Sequence, residues 1–115
     1  MSAKVKLRAE DYVHLHNHTE YSVLDGLTKI HQLIDYVNQL GMKSIAITDH
    51  GTMSGAIEFY KTAQAQNINP IIGIEAYVAN RKHTDKDPTK DKNRYHLILL
   101  AMNNKGYQNL MRLSS

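Results

Sequence analysis

Residues 28–51 read Thr28-Lys29-Ile30-His31-Gln32-Leu33-Ile34-Asp35-Tyr36-Val37-Asn38-Gln39-Leu40-Gly41-Met42-Lys43-Ser44-Ile45-Ala46-Ile47-Thr48-Asp49-His50-Gly51, and their periodicity changes part-way. Ile30, Leu33, Ile34, Val37 and Leu40 recur at helical spacing, which predicts an amphipathic helix over 28–40. Thr28 is the expected N-cap, and Gly41 stands where a helix-ending glycine belongs. Residues 44–48 then form a short apolar, β-branched run, the mark of a buried strand. Working outward, residues 12–15, 70–78 and 95–101 read as further strands. Residues 54–66 read as a helix with Ile57, Phe59, Tyr60 and Ala63 as its stripe and Thr52 or Ser54 as cap. Residues 105–113 read as a last helix through Tyr107, Leu110, Met111 and Leu113. Strand, helix, strand, helix, strand predicts an α/β fold with a mostly parallel sheet, either a βα-barrel or an open doubly wound sheet.

The third and fourth strands depart from that rhythm. Residues 79–94 have no apolar periodicity, only charge and Pro88, so no crossover helix is expected there. A parallel connection needs a crossover of a dozen or more residues, usually helical. The expected geometry is an antiparallel excursion, out along 75–79 and back along 95–100. The same segment holds the whole net charge of +3: Arg81, Lys82, Lys86, Lys90, Lys92 and Arg94 stand against Asp85, Asp87 and Asp91. Such a loop attracts phosphate non-specifically, and its charge predicts an exposed, mobile position.

A chain of 115 residues is one domain at most, and 42% hydrophobic with 22% charged residues excludes disordered, collagen-like and coiled-coil classes. No apolar run approaches the length of a membrane span, and the first ten residues lack the apolar core of a signal peptide. A cytoplasmic protein with no membrane partner is expected. Without cysteine there is no disulfide, thiolate ligand or cysteine nucleophile. Seven histidines against one Phe and no Trp favour metal or proton chemistry over aromatic recognition.

His14-Leu15-His16-Asn17-His18 leaves the first predicted strand, and alternation puts the three imidazoles on one face, with Val13 and Leu15 turned toward covering helices. A shared cation resolves the crowding of three histidines. Asp25-Gly26 follows in a loop. Alone it reads first as a turn, but its carboxylate can return to the strand ends. Thr48-Asp49-His50-Gly51 ends the second strand at the side where α/β folds build sites. Gly73-Ile74-Glu75 sets an acid inside an apolar strand, an expensive position unless the carboxylate is paired or metal-bound. His96 joins Glu75 only if the antiparallel excursion forms. No serine elbow, P-loop or GxGxxG accompanies these residues. His16, His18, Asp25, His50, Glu75 and His96 thus make a nitrogen–oxygen donor set suited to zinc, manganese or iron, and large enough for more than one ion. The chemistry implied is metal-assisted phosphoester hydrolysis.

The blocks HLHNHTEYSVLDG, AITDHGTMSGAIEFY, PIIGIEAYVA and YHLILLAMNNKGYQNL resemble the PHP (polymerase and histidinol phosphatase) domain, in order, from about Tyr12 to the chain end. EYSVLDG and NNKGYQNL resemble its polymerase branch, found at the N-terminus of bacterial replicative DNA polymerases. The resemblance implies the N-terminal part of a distorted (β/α)7 barrel, incomplete within 115 residues, with residues 1–11 as an arm. It assigns His16, His18, Asp25, His50, Glu75 and His96 as metal ligands, with His14 in the layer beneath. Asp49 is a candidate partner of a ligand or proton relay. Later ligands of the family, a Cys or His and an Asp-x-His pair, lie beyond Ser115. The implied activity is a metal-dependent 3′–5′ exonuclease in a DNA polymerase, with DNA, the other polymerase domains and replisome subunits as partners. The alternatives are a free-standing PHP phosphoesterase and a non-catalytic, metal-stabilised scaffold. The isolated piece is expected to be inactive and to self-associate.

Overall fold

The computed structural model describes residues 4–115. The first three residues of the expected arm lie outside the described ones, and the rest of it is exposed around one 3-10 turn, Ala9–Asp11. Three α-helices and three strands follow: α1 Ile30–Gln39, β1 Ser44–Ile47, α2 Ala56–Ala65, β2 Asn69–Ala79, β3 Arg94–Leu100 and α3 Asn104–Ser114. The sheet order is β1-β2-β3. No helix among the described residues is long and apolar enough to cross a membrane.

Helix α1 buries Ile30, Ile34 and Val37, the stripe that its spacing predicts. Its end is a Schellman turn: Gly41 at φ 77° donates its N–H to Asn38 O, and Met42 N donates to Val37 O. The start differs from expectation. Lys29 occupies the N-cap without a side-chain cap, because Thr28 O is taken by Glu20 N in the preceding loop. Helix α2 also lacks a side-chain cap, since Thr52 Oγ1 instead accepts from Ser54 N two residues on. Helix α3 is capped by Asn103, whose Oδ1 accepts from Gly106 N at 3.0 Å. One core unites Ile30, Ile34 and Val37 of α1, Ile45 and Ile47 of β1, Phe59 and Ala63 of α2, with Met42 and Ile68 from the turns. Each large apolar side chain so buried contributes about 1.5–3 kcal/mol.

β1 pairs parallel with β2, from Ser44↔Asn69 to Ile47↔Ile72. β2 pairs antiparallel with β3, from Gly73↔Leu100 to Ala79↔Arg94. The expected excursion is therefore present, and it makes the sheet half parallel and half antiparallel rather than mostly parallel. The expected first strand over 12–15 shrinks to a single parallel bridge, His14↔Ile45. Asn17 explains the loss. Its Nδ2 donates to His14 O and Ala46 O, both at 3.1 Å, and its N–H goes to Thr48 Oγ1 at 2.9 Å. Side-chain bonds thus replace a continuous ladder, and Leu15, expected under a helix, is 46% exposed. Among the described residues the sheet is open and no barrel closes. The charged loop is exposed as expected but internally tied. Arg81 clasps Asp91 through two hydrogen bonds of 2.7 and 2.6 Å, and Asp87 accepts from Thr89 N and Lys90 N.

Candidate metal centre

Glu75 lies in β2 just beyond its pairing with β1, and is 5% exposed. Backbone bonds extend the parallel pairing by one bridge, His50↔Glu75, with Glu75 N donating to Asp49 O and Gly51 N to Glu75 O. That bridge brings the Thr48-Asp49-His50 end of β1 alongside the carboxylate. On the other edge the antiparallel register sets Tyr77 opposite His96, so His96 faces the side that Glu75 faces. The bridge at His14 sends the following residues over the same strand ends.

Three imidazoles meet the Glu75 carboxylate. His16 Nε2 bonds Oε2 at 2.8 Å, His18 Nε2 bonds the same oxygen, and His96 Nδ1 bonds Oε1 at 2.9 Å. His50 sits between the two acids: its Nε2 pairs with Asp25 Oδ2, and its Nδ1 is 3.6 Å from Glu75 Oε2. Asp25 Oδ2 also lies 3.6 Å from His18 Nδ1. Asp25 reaches inward because the loop folds back: Gly26 N and Asp25 N both donate to Ser22 O. Only glycine fits at 26, where a Cβ would lie 1.9 Å from Thr19 O. All six expected residues therefore converge. His14 does not join them; it packs edge-on against Tyr12, with ring centroids 4.8 Å apart.

Asp49 occupies a different layer. It is buried, and its carboxylate accepts from Thr19 N at 2.6 Å, Thr19 Oγ1 at 2.8 Å and Ser22 Oγ at 3.0 Å. Ser22 Oγ in turn accepts from His50 N at 3.0 Å. Asp49 thereby ties the loop that follows His18 to the end of β1. Thr19 and Ser22 are unremarked in the sequence, since a loop Thr or Ser carries no signal of burial. Tyr77 is likewise missed there, although its place two residues after Glu75, on the same strand face, is a signal that could have found it. Its ring stacks on His50 at 6.0 Å and meets His96 edge-on at 5.1 Å.

The donor set fits divalent metal. His16–His18–Glu75, His18–Asp25–His50 and His50–Glu75–His96 each gather ligand atoms within 4.8 Å of one another. His50 Nδ1 is buried without a hydrogen-bond partner, an orphan that a cation would satisfy.

The PHP domain profile matches residues 14–115, the stretch that contains every residue of this cluster. The chain belongs to the PHP domain family. Its similarity to DNA polymerase III subunit alpha is 53% identity over 104 residues in Helicobacter pylori and in Campylobacter jejuni, covering 90% of this chain. With the subunit of Thermus aquaticus the identity is 44% across the whole chain. The chain spans 8–9% of the length of these relatives. Two solved structures share the fold over 87% of this chain. One is described as a metal-dependent phosphoesterase of Bifidobacterium adolescentis, at TM-score 0.56 and 20% identity, with 31% of that chain covered. The other is an amidohydrolase of Chromobacterium violaceum with bound sulfate and no metal, at 0.59 and 21%, with 32% covered.

In this PHP domain the Glu75 acidity reflects two opposed causes. Burial raises its pKa, and the bonds from His18 and His16 lower it more, leaving it at about 2. The carboxylate is therefore ionised at neutral pH, the form in which it can ligate a cation.

Proposed function

We propose that this chain is the N-terminal part of a PHP barrel within a bacterial replicative DNA polymerase subunit. Its cluster would hold divalent ions and serve hydrolysis of the terminal phosphodiester of a DNA 3′ end, a proofreading exonuclease. The observation that carries the reading is the buried Glu75 carboxylate, approached by three imidazoles from two separate segments beside the orphan Nδ1 of His50.

His16, His18, Asp25, His50, Glu75 and His96 are the proposed ligands. Ions held there supply Lewis-acid polarisation of the phosphoryl group. The protein's part is positional. Glu75 offers one oxygen to the 14–18 segment and the other to β3, so it spans the cluster. His96 bonds Glu75 through Nδ1, which leaves its Nε2 free of that bond. Asp49 fixes the loop carrying Asp25 and the backbone of His50 through Thr19 and Ser22. The polymerase relatives favour a DNA substrate over a small phosphoester, and make the remaining polymerase domains and replisome subunits the proposed partners, in the cytoplasm.

The test is paired. Elemental analysis of the full-length protein should find divalent transition metal that is lost from a variant with His16→Ala and His18→Ala. A 3′-labelled primer should lose its terminal nucleotide with the metal-loaded protein, and not after chelation or in that variant. Metal without hydrolysis would establish the scaffold role instead, and unchanged metal content would remove both histidines from the site.

A further inference from the structure

The face that carries Glu75 continues outward along the hairpin. Strand alternation puts Tyr77 and Ala79 of β2 on that face, with Ile98, His96 and Arg94 opposite Glu75, Tyr77 and Ala79 on β3. The Arg94 guanidinium carbon stands 4.7 Å from the Tyr77 ring centroid, over the ring. Tyr77 is in turn set against His50 and His96. Room for that ring depends on Gly51, since a Cβ there would lie 2.9 Å from Tyr77 Cε2. An aromatic ring thus links the histidine cluster to a cation one rung further out.

Arg94 is exposed, and among the described residues no carboxylate lies within ion-pair distance of it. The acids of the neighbouring loop are engaged elsewhere. Asp91 is clasped by Arg81, Asp87 accepts from two backbone N–H groups, and Asp85 accepts from Lys82 N. Attraction to a ring occupies no hydrogen-bond acceptor, so the N–H donors turned away from the ring stay available for a bidentate acceptor such as two oxygens of a phosphate. Two residues of strand advance about 7 Å. That step from His96 to Arg94 is comparable to the separation of adjacent phosphates along an extended nucleic-acid strand.

We propose that Arg94, positioned by Tyr77, binds the phosphate next to the one placed at the cluster, and so selects a polynucleotide over a phosphomonoester. This inference rests on the phosphodiesterase reading and names its substrate requirement. Arg94 is the binding residue and Tyr77 its positioning residue.

The test uses the full-length protein and two single-stranded oligothymidylates. One is all-phosphate, and the other has a neutral methylphosphonate at the penultimate linkage from the 3′ end. Phenylglyoxal modification of Arg94, read by peptide mass spectrometry, should be slowed several-fold by the first strand and left unchanged by the second. Equal protection by both, or by neither, overturns the proposal, and this readout needs no hydrolysis. In the hydrolysis assay, Arg94→Ala should raise KM about tenfold with kcat nearly unchanged on the all-phosphate strand. The effect should vanish on the methylphosphonate strand. Tyr77→Ala should reproduce the KM rise, and Tyr77→Phe, which keeps the ring, should not. Arg94→Ala and methylphosphonate effects that simply multiply overturn the pairing. A wild-type protein that hydrolyses neither strand defeats the exonuclease reading, while the footprint still decides Arg94.

Discussion

Glu75, within β2, and Asp49, just past the end of β1, are both buried acids, yet they are satisfied in different ways. Glu75 is held by imidazoles, groups that exchange readily with a metal. Its folded pKa lies at about 2 against an ordinary 4.5, so its contribution to stability is fully present above pH 4.5 and is lost as pH falls toward 2. The full effect is on the order of 3 kcal/mol. The urea midpoint of the chelator-treated domain should therefore drop through that window, and Glu75→Gln should flatten the drop. Matching pH profiles for the two proteins would assign the acid sensitivity to other groups. Asp49 is held by one backbone N–H and two hydroxyls, which are fixed. Asp49→Asn replaces an acceptor oxygen with an amide that must donate, against donors already in place. A loss of about 2–3 kcal/mol is expected in thermal or urea unfolding, with weaker metal retention because the 19–26 loop loosens. An unchanged midpoint would mean the loop holds its place without Asp49.

At the scale of elements, the connection between β2 and β3 decides where His96 falls. A helical crossover would have sent β3 parallel and put His96 at the far end. The charged, Pro-containing 79–94 stretch has no apolar stripe with which a crossover helix could pack, and the antiparallel pairing follows. The loop's lysines project from a framework built by Arg81 and Asp91. Changing Lys86, Lys90 and Lys92 to Gln should weaken DNA binding only modestly and less at high salt, as a nitrocellulose or anisotropy titration would report. A large loss that salt does not diminish would indicate specific docking. Helix α3 starts at one side-chain cap, so Asn103→Ala should cost about 1 kcal/mol in a melting experiment. No change would mean that packing of Leu110 alone holds the helix.

The whole molecule is more extended than its length requires. Its radius of gyration is 16.7 Å, where a compact chain of this size has about 13 Å. β3 has no further strand on its outer side among the described residues, and Tyr95, Leu97 and Val78 on the hairpin's other face are exposed. An unpaired edge beside apolar surface is a template for another chain. The 115-residue protein on its own should therefore sediment as a dimer or larger species at micromolar concentration. A stable monomer would show that the edge is protected in another way.

By itself the sequence determined the helices and the donors. Apolar spacing in 30–40 dictates one buried stripe, because only a 3.6-residue period aligns those side chains. The HxH, TDH and GIE segments name metal-ligating residue types within short, local motifs, and the lack of periodicity in 79–94 forbids a crossover helix. Tertiary structure alone decided the rest. Whether residues 12–15 form a strand depended on Asn17 bonding to Ala46 O, a partner 29 residues away. That Asp49 faces Thr19 and Ser22, while its neighbour His50 faces Asp25, depended on how a loop folds over a strand end. Arg94 reads as one more charge of a basic loop until the β2–β3 register puts it over Tyr77. Local periodicity reports which face a side chain takes on its own element. What meets it there is set by contacts between distant segments, and these leave no period in the chain.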